Sequence, residues 1–333
     1  MKNVVNCLIL LCLIGMGQAW AADSLVIFSG RSDKFVKPVA EAFTKETGIK
    51  VTLHSAKSTA LLNKLKLEGA RTEADLYLSN DAGNLQRGAD LGLFQAIPAE
   101  LTSLVGKNYR SENNLWVGLS ARARVLVVNK NSPFYGKVNS VLDLAKPELR
   151  GHIAVTNSTN ESFIAGVTVY QERLGDAKVK SWLQSVKANA ENNIFDKHSK
   201  IVKSVAQGRV DVGLVNHYYI YRHLDKEANA PVDIVLPDQA ADQMGIAWNV
   251  AGVAISKHTK QKQNAIKFVR FVLSKKGQKI FADVNREYPT RSGIEVVKEI
   301  PKPSTMKVAD VAMGKLGKKR NATVDLLQSV DMP

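Results

Sequence analysis

The residues most suggestive of chemistry stand in VGLVNHYYIY, residues 212–221, where an apolar run ends in a histidine and three tyrosines. Neighbouring side chains point in different directions on a strand or a helix. Tyr218 and Tyr219 can therefore converge on one ligand only in an irregular loop or at the start of a helix. A break directly after VDVGLV would supply that geometry. The alternatives are two aromatic residues lining a cleft for an organic ligand, or one core and one surface residue.

Deprotonated phenol oxygens are hard, anionic ligands, and Fe³⁺ is a small, highly charged ion that selects such oxygens over soft donors. A free phenol has a pKa of about 10, so binding of the ion must displace protons and should weaken as pH falls. Two tyrosinates cannot fill the coordination sphere of this ion. An exogenous anion or water would have to complete it.

The first residues have the pattern of a secretory signal peptide, with Lys2 before an apolar stretch and small residues around Ala21. We expect residues 1–21 to be this signal and the mature protein to be exported to the periplasm. Both cysteines, Cys7 and Cys12, lie within it. The predicted mature chain therefore has no thiol nucleophile and no thiolate metal ligand.

The composition narrows the function further. The formal net charge is +15, but the basic residues are scattered through amphipathic helices without an aromatic-studded basic patch, so we expect no nucleic-acid partner. No later segment approaches the roughly 20 apolar residues of a membrane helix, so we expect a soluble monomer that does not span a membrane. The chain contains no G-x-S-x-G elbow, no H-E-x-x-H helix and no P-loop. These features favour a binding protein over an enzyme.

The elements that must position the tyrosines alternate between strands and helices from Ser24 onward. The predicted strands are 24–28, 49–55 and 74–79, and the predicted helices are 35–48, 59–70 and 82–92. This alternation indicates an α/β domain with a mostly parallel sheet. Ligands of such sheets bind outside the carboxyl ends of the strands. SGRS (29–32) and SND (79–81) should therefore lie on one rim.

Two long β-rich stretches, 115–130 and 245–256, indicate a second domain and a return to the first. We expect two α/β domains joined by crossing hinge strands. The first lobe would contain residues 22–123 and 248–298, and the second lobe residues 124–247 and 299–333.

Six phrases carry a resemblance to a known family: VAEAFTKETGIKV, ADLYLS, ARARVLVVNK, GRVDVGLVNHYYIYR, AGVAIS and REYPTR. Over essentially the whole mature chain the sequence resembles periplasmic ferric-iron-binding proteins of ABC importers. These form the transferrin-like branch of the two-domain periplasmic substrate-binding proteins. The asparagine followed one residue later by paired tyrosines is the most specific of the six matches.

The resemblance implies a two-lobed periplasmic binding protein of type II that closes on Fe³⁺. It implies that Tyr218 and Tyr219 bind the ion and that carbonate or phosphate accompanies it. The partners it implies are an ABC permease and its ATPase in the inner membrane. The alternative is the same fold binding an organic or phosphorus-containing anion without a metal.

Three positions depart from the family's usual ligands. Ser32 stands where members use a histidine, Asn80 where they use an acidic residue, and Val128 where some use a third tyrosine. Asp81 could replace the missing acid by a shift of one residue, although it is also well placed to cap the helix that follows.

Three arginines are candidates for anion binding. Arg122 and Arg124 match the family's arginine pair near the metal, and one guanidinium could hold carbonate or phosphate in its planar fork. Alternation along a strand leads us to expect that one of the two faces outward. Arg31, in the loop that lacks the histidine, could bind a further anion or lie exposed on the surface.

The segment STNESF, residues 158–163, precedes a helix, where free backbone N–H groups commonly bind an anion. Four residues match family positions that hold the anion: Asn160, Glu161, Ser162 and Asn216. Glu161 is either a favourable charge in the first helical turn or a carboxylate that replaces the anion or supplies the missing protein ligand. His217 is a further candidate ligand, with a place behind the metal ligands or at the surface as its alternative.

Overall fold

The computed structural model of the protein describes residues 24–333. The predicted signal peptide, residues 1–21, lies outside the described residues. The strands are β1 (Ser24–Ser29), β2 (Lys50–Ser55), β3 (Leu76–Ser79), β4 (Phe94–Gln95), β5 (Val117–Asn129), β6 (Ile153–Thr156), β7 (Ile194–Phe195), β8 (Val212–Asn216), β9 (Val232–Val235), β10 (Trp248–Ser256) and β11 (Tyr288–Pro289).

The α-helices are α1 (Asp33–Thr47), α2 (Ser58–Glu68), α3 (Ala82–Asp90), α4 (Ala99–Thr102), α5 (Glu161–Leu174), α6 (Asp176–Ala190), α7 (His198–Ala206), α8 (Tyr218–Leu224), α9 (Lys262–Val272), α10 (Lys275–Asn285), α11 (Gly314–Lys318) and α12 (Arg320–Ser329). Short 3₁₀ helices lie at Gly69–Arg71, Lys107–Tyr109, Val141–Ala145, Pro147–Leu149 and Pro303–Thr305.

Helix α1 shows how the sequence determines an element of the first lobe. Val36, Val39 and Phe43 are spaced so that they lie on one face of the helix, and all three are buried. The helix ends at Gly48, whose φ of 75° is the left-handed conformation that glycine adopts without steric cost. The predicted stop of this helix is therefore correct.

The sheet has the order β2-β1-β3-β10-β5-β8-β6-β7, with β4, β9 and β11 paired at its sides. Strand β1 is parallel to β2 and β3, and β6 is parallel to β7 and β8. Strands β5 and β10 are antiparallel to their neighbours. The prediction of parallel sheets is thus correct for the two outer groups of strands, which the antiparallel pair connects.

Strand β5 is continuous through both halves of the sheet. Residues 117–123 pair with β10, and residues 124–128 pair with β8. We call the half with β1, β2, β3 and β10 the first lobe, and the half with β6, β7 and β8 the second lobe. The chain returns at the same boundary, where Arg124 N donates to Ala247 O (2.9 Å) just before β10 begins. The two long β stretches therefore meet between the lobes.

The C-terminal segment touches both lobes. Helix α11 packs on α3 of the first lobe, and α12 packs on α5 and α6 of the second. The residue boundaries 22–123 with 248–298, and 124–247 with 299–333, remain predictions.

Within residues 24–333, no helix combines the length and apolar character that crossing a membrane requires.

Candidate ligand-binding cleft

A cleft of about 710 Å³ lies between the lobes. It brings together ten of the predicted site residues: Arg31, Ser32, Asn80, Arg122, Asn160, Glu161, Ser162, Asn216, Tyr218 and Tyr219. Three others do not line it: Asp81, Arg124 and His217. Among residues 24–333, no group of three or more His, Cys, Asp and Glu side chains is arranged to hold a metal.

The first-lobe wall is the rim predicted from the strand ends. Gly30 N donates to Leu78 O (2.7 Å), which joins the loop after β1 to the end of β3. Ser58 Oγ, at the start of α2, donates to Asn80 Oδ1 (2.7 Å). A Cβ at Gly30 would lie 1.9 Å from Ser58 Oγ, so this close approach requires glycine. Ser32 is exposed beside it, and its side chain forms no helix-capping hydrogen bond.

The tyrosine pair stands on the second-lobe wall. Strand β8 ends at Asn216, and α8 begins at Tyr218, so both tyrosines occupy the first turn of a helix. Their ring centroids are 4.7 Å apart with the planes inclined by 36°. The Arg222 guanidinium lies 4.8 Å from the Tyr218 ring centroid and 4.3 Å from that of Phe35. The helix start thus directs two adjacent phenols into one cleft.

The surroundings of Tyr219 oppose its ionisation. The neighbouring Tyr218 raises the pKa of Tyr219 above its ordinary value, and burial raises it further. A bound cation reverses this balance because its charge favours the phenolate form. The surroundings of Tyr219 therefore favour its phenolate form only together with a positively charged ligand.

A chain of hydrogen bonds runs behind the tyrosines. Asn216 Nδ2 donates to Tyr218 Oη (3.3 Å) and to Ser162 Oγ (3.1 Å). Asn216 Oδ1 accepts from Arg124 Nη1 (3.3 Å), which fixes the orientation of the amide. Burial lowers the pKa of Arg124 to about 10. Arg124 does not line the cleft, so it supports Tyr218 only through its hydrogen bond to Asn216.

The expectation that one arginine of the pair faces outward is wrong. Arg122 and Arg124 are each 3% exposed. They are two residues apart on β5, and such residues share a face of the sheet, so both point inward. Arg122 lines the cleft and donates through Nη2 to Asn80 O, while its Nε has no hydrogen-bond partner within residues 24–333.

His217 is buried behind the cleft. Ala123 N donates to its Nδ1 (3.2 Å), and its Nε2 donates to Arg286 O (2.6 Å). Both nitrogens are therefore occupied, which disagrees with its candidacy as a metal ligand. Burial lowers the pKa of His217 to about 4, so the ring is neutral near pH 7. The imidazole links the backbone of β5 to the chain before β11.

Arg31 is buried, which rules out the alternative that it lies exposed on the surface. It is 5% exposed and forms an ion pair with Glu287, with 2.6 Å between Nη2 and Oε1. Its Nη1 also donates to Ser120 Oγ (3.2 Å). The Arg31 guanidinium holds the pKa of Glu287 below its usual range despite burial of the carboxyl. Arg31 lines the cleft, but Glu287 balances its charge, which weakens its attraction for a further anion.

The start of α5 differs from the prediction in one respect. Asn160 is the N-cap, and its Oδ1 accepts from Ser162 N and Phe163 N, both at 3.1 Å. Two of the backbone donors that were expected to be free for an anion are therefore already used. Ser162 Oγ remains at the cleft surface, where it accepts from Asn216.

Glu161 reaches across the cleft from the second lobe. Its Oε1 accepts from Thr59 Oγ1 (3.3 Å) and Asn84 Nδ2 (3.4 Å), both in first-lobe helices. Burial raises the pKa of Glu161, and the nearby Asp81 carboxylate adds to that effect. The carboxylate thus connects the two walls, a role beyond that of a favourable charge at a helix start.

Asp81 caps helix α3 and does not line the cleft. Its Oδ2 accepts from Asn84 N (3.0 Å), and its Oδ1 accepts from Asn249 Nδ2 (3.0 Å). Arg320 Nη1, at the start of α12, lies 3.7 Å from Asp81 Oδ2. These contacts disagree with a metal-binding role for Asp81, because they occupy both carboxylate oxygens.

The cleft-lining residues with charged or aromatic side chains that were not predicted are Phe35, Lys57, Asp196, Lys197, His198, Glu287 and Arg320. Lys57 and Lys197 each precede a helix as its N-cap residue, a position that could have been read from the sequence. Glu287 and Arg320 reach the cleft through contacts with residues far away in the chain, for which the local pattern carries no signal.

The chain is similar to known proteins over most of its length. Residues 25–284 match the family model described as bacterial extracellular solute-binding protein. Iron uptake protein A1 of Synechocystis sp. is 30% identical over 301 residues, covering 87% of this chain and 82% of the relative. The Fe(3+)-binding periplasmic protein of Serratia marcescens is 31% identical over 270 residues, covering 80% and 79%. The solved structure of Trichodesmium IdiA (FutA) in complex with iron and citrate ligands has a TM-score of 0.82 and 28% identity, covering 93% of this chain and 100% of that one.

Proposed function

Because the chain belongs to the bacterial extracellular solute-binding protein family, we propose that it captures Fe³⁺ in the interlobe cleft and delivers it to an ABC permease. Family membership confirms the expectation of a binding protein that is not an enzyme. The predicted two-lobed α/β fold is likewise confirmed by the match to solved relatives. Iron is the cargo that the names of the relatives report.

One observation carries the proposal for iron: two adjacent tyrosines begin a helix on the cleft wall. In the proposed complex, the phenolate oxygens of Tyr218 and Tyr219 bind the ion directly. Asn216, fixed by Arg124, holds the Tyr218 oxygen in place through its Nδ2. Each phenol loses a proton to solvent when the ion binds, which makes the affinity depend on pH.

An anion completes the coordination sphere in this proposal. Arg122 is buried at the cleft surface with an unpartnered Nε, and Ser162 Oγ lies on the opposite wall. These groups fit carbonate or phosphate, the two anions expected from the sequence. Glu161 has a different role here: it holds the walls together through Thr59 and Asn84.

The proposed route follows from the family. The protein would act in the periplasm after removal of residues 1–21 and would close by a hinge motion at β5 and β10. The closed form would then dock on an inner-membrane permease that an ATPase drives. We expect it to act as a monomer.

The test is an iron titration of the purified, metal-stripped protein, followed by visible absorbance. Fe²⁺ oxidised in bicarbonate buffer and ferric citrate serve as separate iron sources. We expect a saturable tyrosinate-to-iron charge-transfer band with at least one source and its loss in the double variant Tyr218→Phe/Tyr219→Phe. Absence of the band with both sources would refute iron capture by this pair.

The second candidate, an organic or phosphorus-containing anion bound without metal, is favoured by the lysines and arginines of the cleft. Calorimetric titration of metal-free protein with citrate and with inorganic phosphate tests it. Tight binding of either anion without iron, together with no band, would support this candidate instead.

A further inference from the structure

A second groove lies outside the interlobe cleft, beside the place where the chain crosses between the lobes. Its lining comes from residues 103–106 and 289–298, together with Tyr109, Trp248, Lys279 and residues 302–304. Trp248 begins β10 and pairs with Ala123 on β5, next to the point where β5 changes its partner from β10 to β8. Within residues 24–333, no residue lines both the groove and the cleft, so the two can be tested separately.

Much of the groove lining is apolar. The aliphatic and aromatic side chains in it include Leu104, Val105, Tyr109, Trp248, Ile294, Val296 and Val297. Leu104, Val296 and Val297 are half-buried: each packs on a hydrophobic core and stays partly accessible to solvent. Contiguous apolar surface of this kind often marks a binding site. The groove has a volume of about 1250 Å³, which is enough for an organic molecule, since small-molecule sites usually have roughly 300–1,000 Å³.

One polar group of the lining lacks a partner. Trp248 is 4% exposed, and its Nε1 is buried without a hydrogen-bond acceptor within residues 24–333. The indole ring packs on Tyr288, with 4.7 Å between the ring centroids. A buried donor without an acceptor is costly, and native proteins leave few of them. An oxygen atom of a bound ligand would supply the missing acceptor.

The charged residues of the groove are mainly basic. They are Lys279, Arg291, Lys298 and Lys302, with Glu295 as the opposing carboxylate. Lys279 forms an ion pair with Asp283, and Arg291 Nη1 donates to a backbone carbonyl. Lys298 and Lys302 are exposed and form no ion pair within residues 24–333. The charge of the groove therefore complements an anion.

We propose that this groove binds an amphipathic organic anion, a small molecule with an apolar body and one carboxylate. The apolar body covers the half-buried side chains of Leu104, Val296 and Val297. One carboxylate oxygen accepts from Trp248 Nε1, and the basic residues attract the anion through their electrostatic field. The proposal goes beyond iron capture and does not depend on it, because the groove shares no lining residue with the cleft within residues 24–333.

The experiment is a calorimetric titration of the purified, metal-free protein with phenylbutyrate and with phenylbutyramide, its uncharged analogue. We expect one phenylbutyrate bound per protein, with an affinity at least about fivefold higher than that of the amide. In Lys298→Gln/Lys302→Gln, the affinity for phenylbutyrate should fall about threefold, whereas the affinity for the amide should stay unchanged. Trp248→Phe keeps an aromatic ring beside Tyr288 but lacks the N–H group, so it should weaken the binding of both molecules about fivefold.

Lys57→Gln/Lys197→Gln is the matched control, because it removes two exposed lysines that line the interlobe cleft instead of the groove. It should leave the affinity for phenylbutyrate unchanged. A loss of affinity in this variant, with none in Lys298→Gln/Lys302→Gln, would place the anion in the cleft and overturn the proposal. Absence of saturable binding, equal affinities for phenylbutyrate and the amide, or an unaltered affinity in Trp248→Phe would also overturn it. None of these outcomes affects iron capture, which the absorbance titration tests by itself.

Discussion

The two walls of the cleft are built differently. On the second-lobe wall, the tyrosine pair follows a buried strand, and hydrogen bonds from Arg124 through Asn216 reach the Tyr218 oxygen. On the first-lobe wall, the loop after β1 presents the exposed Ser32, and α2 begins after the exposed Lys57. On the second-lobe wall a hydrogen-bond chain holds one of the tyrosines, whereas on the first-lobe wall the exposed Ser32 and Lys57 make no capping hydrogen bond.

This difference suggests an order of events. Ligand groups that are held in place lose less conformational freedom on binding, so the second lobe is the better site of first capture. The first lobe then contributes charge and contact as the cleft closes. Glu161, with its hydrogen bonds to Thr59 and Asn84, is the contact that would form at closure.

The largest effect is expected when His217, which is buried behind the second-lobe wall, is replaced. His217→Ala leaves Ala123 N–H and Arg286 C=O without their imidazole partners and creates a cavity at a fully buried site. We expect the free energy of unfolding to fall by about 3 kcal/mol, since each unsatisfied buried group costs about 1–3 kcal/mol. Urea denaturation of the metal-free protein at pH 7.5 measures it.

His152→Ala is the control for this substitution. His152 is half-exposed and has one ion pair, with Asp211 (2.6 Å), so its loss should cost less than about 1 kcal/mol. Equal destabilisation by the two variants would mean that His217 is not a special support of the wall. His217→Gln, whose amide carries both a donor and an acceptor, should recover part of the lost stability.

An intermediate effect, on the affinity for iron, is expected when the hydrogen-bond chain from Arg124 through Asn216 to Tyr218 is interrupted by an apolar side chain of similar length. Arg124→Met removes a fully buried guanidinium and frees Asn216 Oδ1. We expect the affinity for iron to fall about tenfold, because Tyr218 is then held less well. The free energy of unfolding should change by less than about 1 kcal/mol, because the loss of the hydrogen bonds to Asn216, His198 and Leu214 is offset by removal of a buried charge that has no carboxylate partner within residues 24–333.

Competition titration against a chromogenic chelator measures this affinity, and urea denaturation measures the stability in parallel. The exposed Arg150→Met serves as the matched arginine substitution, with both quantities expected to stay unchanged. An unaltered affinity in Arg124→Met would show that the tyrosines are positioned without help from the chain behind them.

The two walls also differ in how much of their structure could be predicted from the sequence. The strand ends at SGRS and SND, the stop at Gly48 and the tyrosines at a helix start follow from local patterns, and each agrees with the structure. The burial of Arg31 depends on Glu287, 256 residues away, and no local pattern reveals such a pair. The prediction that either Arg122 or Arg124 faces outward was wrong for a different reason. Strand geometry alone already places residues 122 and 124 on one face.

The smallest effect is expected on the first-lobe wall. Ser32 is exposed, and its side chain makes no capping bond, so Ser32→Ala should change the affinity for iron by less than about twofold. Ser32→His would sharpen the comparison, since it places an imidazole in the loop that faces the tyrosines and should raise the affinity by several-fold, on the order of 1 kcal/mol. The same competition titration reads both variants. A loss of tenfold or more in Ser32→Ala would break the comparison, because the first lobe would then contribute a ligand of its own and capture would require both walls from the start.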